Sequence, residues 1–173
     1  MKRNKNLLFG RIALFFVMLV LKSFSAKSQH AALGAMPISA LENHVGLSVK
    51  NLQAAKQWYA SLFGMKEIQK LEIPEYHVRT VLLLADNGLS IELIEVAGAS
   101  RERAFKDALD AASQLGYGHW AITVNDLIAA YNMLLSHGAT SVSPPAPAVQ
   151  KGASFAYVKD PEGNLIELMQ LPE

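Results

Sequence analysis

The stretch Asn43-His44-Val45-Gly46-Leu47-Ser48-Val49-Lys50-Asn51-Leu52 (NHVGLSVKNL) decides the fold. It returns 75 residues later as Gly118-His119-Trp120-Ala121-Ile122-Thr123-Val124-Asn125-Asp126-Leu127 (GHWAITVNDL). His, Val and Leu coincide, and each segment runs on into an alanine pair, Ala54-Ala55 and Ala129-Ala130. Further along, Gly88–Leu93 (GLSIEL) matches Gly163–Leu168 (GNLIEL) at the same offset, so His44 to Glu92 and His119 to Glu167 both span 48 residues. One offset shared by two distant, chemically matched positions marks an internal duplication.

Each copy predicts the same order of elements. His44–Val49 and His119–Val124 alternate and read as strands. Asn51 and Asp126 are N-caps for helices over Leu52–Phe63 and Leu127–Ser136, closed by Gly64 and Gly138. Two strands around a turn follow: Tyr76–Leu84 and Leu89–Val96 about Asp86-Asn87-Gly88, then Ser154–Lys159 and Leu165–Gln170 about Asp160–Gly163. Further strands are expected near Lys66–Leu71 and Thr140–Val142. The unit is βαβββ, used twice, an α+β fold. Module one takes residues 41–97, a charged connecting helix 98–116 (centred on Ser100–Leu115), and module two 117–171. Pro144-Pro145-Ala146-Pro147 reads as an irregular surface loop.

Around this body the composition sets limits. The 173 residues are 51% hydrophobic and 18% charged, which excludes a disordered or collagen-like chain. No cysteine is present, so disulfide scaffolds, thiolate metal sites and thiol nucleophiles are excluded. Residues 1–28 carry six basic side chains and no acid, leaving 10 basic against 15 acidic residues in the rest. A net-negative body argues against nucleic acid and anionic membrane as partners. Lys2, Arg3 and Lys5 precede the apolar run Ile12–Leu21, and Ala26-Lys27-Ser28 places small residues at a cleavage site. Residues 1–28 are therefore expected to be a signal peptide, 29–40 a linker, and the mature domain periplasmic or secreted. An uncleaved anchor is the alternative.

Strand alternation sorts the faces. Val45, Leu47 and Val49 oppose His44, Gly46 and Ser48, and Ile91 and Leu93 oppose Ser90 and Glu92. In the second copy Trp120 and Ile122 oppose His119 and Ala121, and Ile166 and Leu168 oppose Glu167. The bulky face must bury against the helices, and the other keeps His, Glu and small residues. A lone His or Glu in a strand is ordinarily packed or solvated. Two of each, at matching sites of a duplicated unit, make a four-donor set suited to one divalent cation: Zn, Ni, Fe, Co or Mn.

His44, Glu92, His119 and Glu167, with the paired Gly88–Leu93 and Gly163–Leu168 ends and the closing stretch Asp160–Leu168 (DPEGNLIEL), resemble the vicinal oxygen chelate superfamily. That group holds glyoxalase I, methylmalonyl-CoA epimerase, extradiol dioxygenases and antibiotic-resistance proteins. The resemblance spans residues 41–171. It implies a cupped mixed sheet around one metal and, in many members, a homodimer with modules paired within or between chains. Glu92 favours the glyoxalase I pattern, in which Glu167 is the first choice as proton-transferring base and Glu92 its partner, with His44 and His119 as fixed ligands. The resemblance therefore implies a lyase or isomerase acting on a small vicinally oxygenated molecule. Two departures stand out. Ser48 replaces the arginine that helps glyoxalase I bind glutathione, and the asparagine that follows the first Glu is missing from Ile94–Gly98. Both argue against glutathione. An Fe(II) ring-cleaving dioxygenase and a non-catalytic, ligand-sequestering protein are the competing readings. His77 and Arg79 are candidates either for meeting an anionic substrate or for a solvated edge pair. Trp58, Tyr59 and Phe63 fit helix packing.

Overall fold

Residues 43–101 and 103–172 are described by the computed structural model. The expected signal peptide (1–28), the linker (29–40) and the first residues of the domain lie outside the described residues. Module one runs β1 (Val45–Ser48), α1 (Leu52–Phe63), β2 (Lys66–Ile73), a single helical turn at Pro74–Tyr76, β3 (Val78–Leu84) and β4 (Ser90–Val96). After α2 (Ala108–Ala112), module two repeats the plan as β5 (Trp120–Thr123), α3 (Leu127–Ser136), β6 (Thr140–Pro147), β7 (Ser154–Lys159) and β8 (Leu165–Gln170). The result is two four-stranded mixed sheets, ordered β1-β4-β3-β2 and β5-β8-β7-β6, as expected of two βαβββ modules in an α+β fold. In each sheet the first strand runs parallel to the last and the other pairings are antiparallel.

The duplication extends to how the helices begin. Asn51 and Asp126 are extended, and their side chains accept from Ala54 N–H (3.0 Å) and Ala129 N–H (2.9 Å). A second acceptor reaches each helix from the last strand of its module. Glu95 Oε2 accepts from Leu52 N–H (2.7 Å), and Gln170 Oε1, 75 residues on, accepts from Leu127 N–H (2.8 Å). Two of the orphan donors that open a helix are thus satisfied in each copy. Gly64 closes α1 in the left-handed conformation (φ 62°), which a glycine adopts without strain.

Ile91, Leu93, Ile166 and Leu168 are fully buried on the helix side of the two sheets, with Leu83 and Val158 beside them. Removal of each such side chain from water stabilises the fold by about 1.5–3 kcal/mol. Helix α1 also packs on the other module. Tyr59 and Phe63 set their rings 6.1 and 5.6 Å from that of Trp120, and Trp58 Nε1 donates to His137 O (2.8 Å). The Tyr59 hydroxyl donates to Asp160 Oδ2 (2.7 Å), an aspartate only 3% exposed. Asp160 Oδ1 in turn accepts from Glu162 N–H (3.0 Å) and Asn164 N–H (2.7 Å), which shapes the turn into β8. The opening of the DPEGNLIEL stretch is thus a structural clasp between modules.

Two expectations are corrected. The connecting helix is five residues long, not sixteen or more. Asp107 caps it through Asp110 N–H (2.8 Å), while the residues before it are drawn into tertiary contacts: Arg101 donates to Asn164 Oδ1 (2.9 Å) and Lys159 Nζ to Phe105 O. The Pro144–Pro147 stretch lies inside β6 instead of forming a loop. β6 is an edge strand with two register shifts against β7, and an edge position tolerates residues that cannot donate to the ladder.

Candidate metal centre

Each module brings one histidine to one glutamate. Gly46 pairs with Glu92 across β1 and β4, and Ala121 with Glu167 across β5 and β8. His44 and His119 stand two residues before those small partners, on the same face. His44 Nε2 lies 3.6 Å from Glu92 Oε2, and His119 Nε2 lies 3.0 Å from Glu167 Oε2. Gly46 and Ala121 add little or no side chain beside the two glutamates. All four side chains keep partial access to solvent.

Two donors held by one transition-metal ion at ~2.0–2.2 Å, in tetrahedral to octahedral geometry, stand roughly 3.0–3.5 Å apart. Both pairs are close to that spacing, and imidazole with carboxylate is a donor set for Zn, Ni, Fe, Co or Mn. Each pair therefore fits part of a divalent centre. The pairs do not meet: among the described residues no group of three or more His, Asp or Glu is placed to hold a metal ion. The resemblance allows the modules to be paired within or between chains, and the described residues of this chain hold the four donors as two separate pairs. They are two half-sets, one per module.

The half-sets are not equivalent. Tyr157, opposite Glu167 in the β7–β8 ladder, donates its hydroxyl to Glu167 Oε1 (2.6 Å) and packs edge-on against the His119 ring at 5.5 Å. Burial, then the bond to Glu167 and its charge, raise this phenol above its ordinary value, so it stays protonated and donates. In module one Leu82 holds the matching place opposite Glu92 and offers no donor. Sequence reasoning missed Tyr157. The signal was its place across the Asp160–Gly163 turn from Glu167, but a pairing shifted by one residue would have sent it to the other face.

Arg79 does not reach this face. It pairs with Glu95 across β3 and β4, with Nε 3.1 Å from Glu95 Oε1, on the side that carries Val81 and Leu83. That bond and the Leu52 N–H hold the Glu95 carboxyl below its usual range. His77 sits at the end of the Pro74–Tyr76 turn in the left-handed conformation (φ 54°). The Arg79–Glu95 pair is therefore part of the support under α1 and not an anion site.

Comparison with known proteins agrees with this architecture. The sequence profile described as Glyoxalase/Bleomycin resistance protein/Dioxygenase superfamily matches residues 42–168. A protein of Vibrio cholerae named "Probable lactoylglutathione lyase" is 30% identical over 130 residues, covering 73% of this chain and 88% of that protein. A lactoylglutathione lyase of Arabidopsis thaliana is 29% identical over 130 residues, and the match spans 73% of this chain and 43% of that relative's length. The crystal structure of a glyoxalase family protein from Bacillus cereus superposes with a TM-score of 0.63 at 20% identity, covering 80% of this chain and 100% of that one. The duplicated βαβββ units, their mirrored helix anchors and the profile match lead to one assignment: the chain belongs to the Glyoxalase/Bleomycin resistance protein/Dioxygenase superfamily.

Proposed function

We propose that this chain is a metal-dependent, glyoxalase-like lyase or isomerase that moves a proton on a small substrate with two adjacent oxygens. The observation that carries the reading is the repeated His–Glu pair, His44 with Glu92 and His119 with Glu167, each at ligand spacing on a small-floored sheet face. Relatives named as lactoylglutathione lyases support the reaction class. Because each module supplies only two donors, the full set is assembled by a second copy of the chain in a homodimer.

A divalent cation bound there supplies Lewis acidity to the two substrate oxygens. His44 and His119 would be the fixed imidazole ligands of that cation. A glutamate takes the proton from a substrate carbon, becomes a carboxylic acid, and returns that proton to the neighbouring carbon. Ser48, where the resemblance would have an arginine, is exposed on β1 and carries no charge. The substrate is therefore a hemithioacetal or similar compound with no requirement for glutathione. The basic n-region and apolar run of residues 1–28 support export, so the mature domain acts in the periplasm or outside the cell.

The test loads purified protein with Zn2+ or Ni2+ and follows hemithioacetals of methylglyoxal made with glutathione or with 2-mercaptoethanol. Both should be converted, and chelation should stop the reaction. Glu92→Gln and Glu167→Gln should each lower kcat by about 10²–10⁴. Absence of conversion with every metal and thiol overturns the reading. Oxygen uptake with catechol in the Fe(II) protein would favour a dioxygenase instead.

A further inference from the structure

We propose that the two glutamates divide the work: Tyr157 fixes Glu167 as the stationary ligand and leaves Glu92 as the carboxylate that moves and carries the proton. This rests on the metal-dependent reading above and deepens it. A carboxylate that is both ligand and base must leave its resting place, approach a carbon, take the proton and return. Freedom to do so depends on what else holds it.

Glu167 has a hydrogen-bond donor of its own, and its other oxygen faces the histidine that shares its half-set. Its Oε1 accepts the Tyr157 hydroxyl at 2.6 Å, and its Oε2 stands 3.0 Å from His119 Nε2. Tyr157 is itself braced, with the Phe155 ring edge-on at 5.8 Å and the His119 ring at 5.5 Å. Only one oxygen of Glu167 remains for a cation, and any swing breaks a charge-assisted hydrogen bond of a kind stronger than a neutral one. Glu92 has no such tie. Its cross-strand neighbour is Leu82, its nearest basic partner is His44 at 3.6 Å, and no described side chain donates to it. In a duplicated scaffold whose backbone registers match, Phe155 and Tyr157 correspond to Thr80 and Leu82. The difference lies in side chains alone, at the place that governs carboxylate motion. Tyr157 is a positioning residue. Glu92, and not the Glu167 that the resemblance makes first choice, is then the base, and Glu167 would be the residue that continues to hold the cation.

Tyr157→Phe removes only the hydroxyl. Its affinity for Zn2+ and Ni2+, read by competition with a chromogenic chelator, should fall about 10–100-fold, with KM for the hemithioacetal little changed. Leu82→Tyr places a donor opposite Glu92. It should lower kcat by about 10-fold or more while metal affinity holds or rises. Circular dichroism establishes that each variant is folded, and Leu82→Gln, a smaller donor, replaces the tyrosine if that variant is not. A Tyr157→Phe protein that binds both metals like the wild type, or a folded Leu82 variant with full kcat, overturns the division of labour. If the wild type itself takes up neither metal, the metal reading falls, and this inference with it.

Discussion

Asp160 accepts four hydrogen bonds: from the Tyr59 hydroxyl, from Glu162 N–H, and from Asn164 N–H and Nδ2 (3.0 Å). Asp160→Ala would strand a buried phenol and release the turn into β8, for an expected loss of about 3 kcal/mol in urea unfolding. Tyr59→Phe, which leaves the turn bonds intact, should lose less. Glu95 makes a prediction about pH. Its carboxyl is depressed by Arg79 and by Leu52 N–H, so its contribution is present above the ordinary carboxylate value near ~4.3 and is lost as pH falls through the depressed folded value. Glu95→Gln copies the residue that module two already uses, Gln170. It should be less stable than the wild type at pH 7, and the gap should close as pH falls through the depressed folded value. The four candidate ligands were legible at this scale because duplication repeats each of them at one offset. Tyr157 was not, because a tyrosine in a strand declares its partner only once the register is known.

Helices α1 and α3 were legible to the residue, since a polar cap opens each and a glycine follows each. Asn51→Ala or Asp126→Ala should cost about 1 kcal/mol each by chemical denaturation, with little change in activity. The connector was misread for a physical reason. Its charged residues suit a solvated helix, yet Arg101 and the Phe105 carbonyl find partners on module two, and only Ala108–Ala112 is left to coil. β6 was misread because prolines argue against a strand only where both edges of the strand are paired, and among the described residues no strand pairs with its outer edge.

Across the whole molecule, the two half-sets predict a complementation experiment. If a second copy completes each centre, mixing Glu92→Gln with Glu167→Gln protein and allowing subunits to exchange creates hybrid dimers with one intact centre. Activity should rise to roughly a quarter of the wild-type value, given random exchange in a two-fold dimer. No recovery after proven exchange would show that one chain completes its own centre. The sequence could not display this separation, because which surfaces meet is set by packing between modules and not by the spacing of ligands. The same packing governs how the chain breaks. Because Tyr59 is locked beneath the opposite half, a protease nick in the Ser100–Lys106 connector should yield two fragments that still elute together on gel filtration. Heating should then release them in a single step.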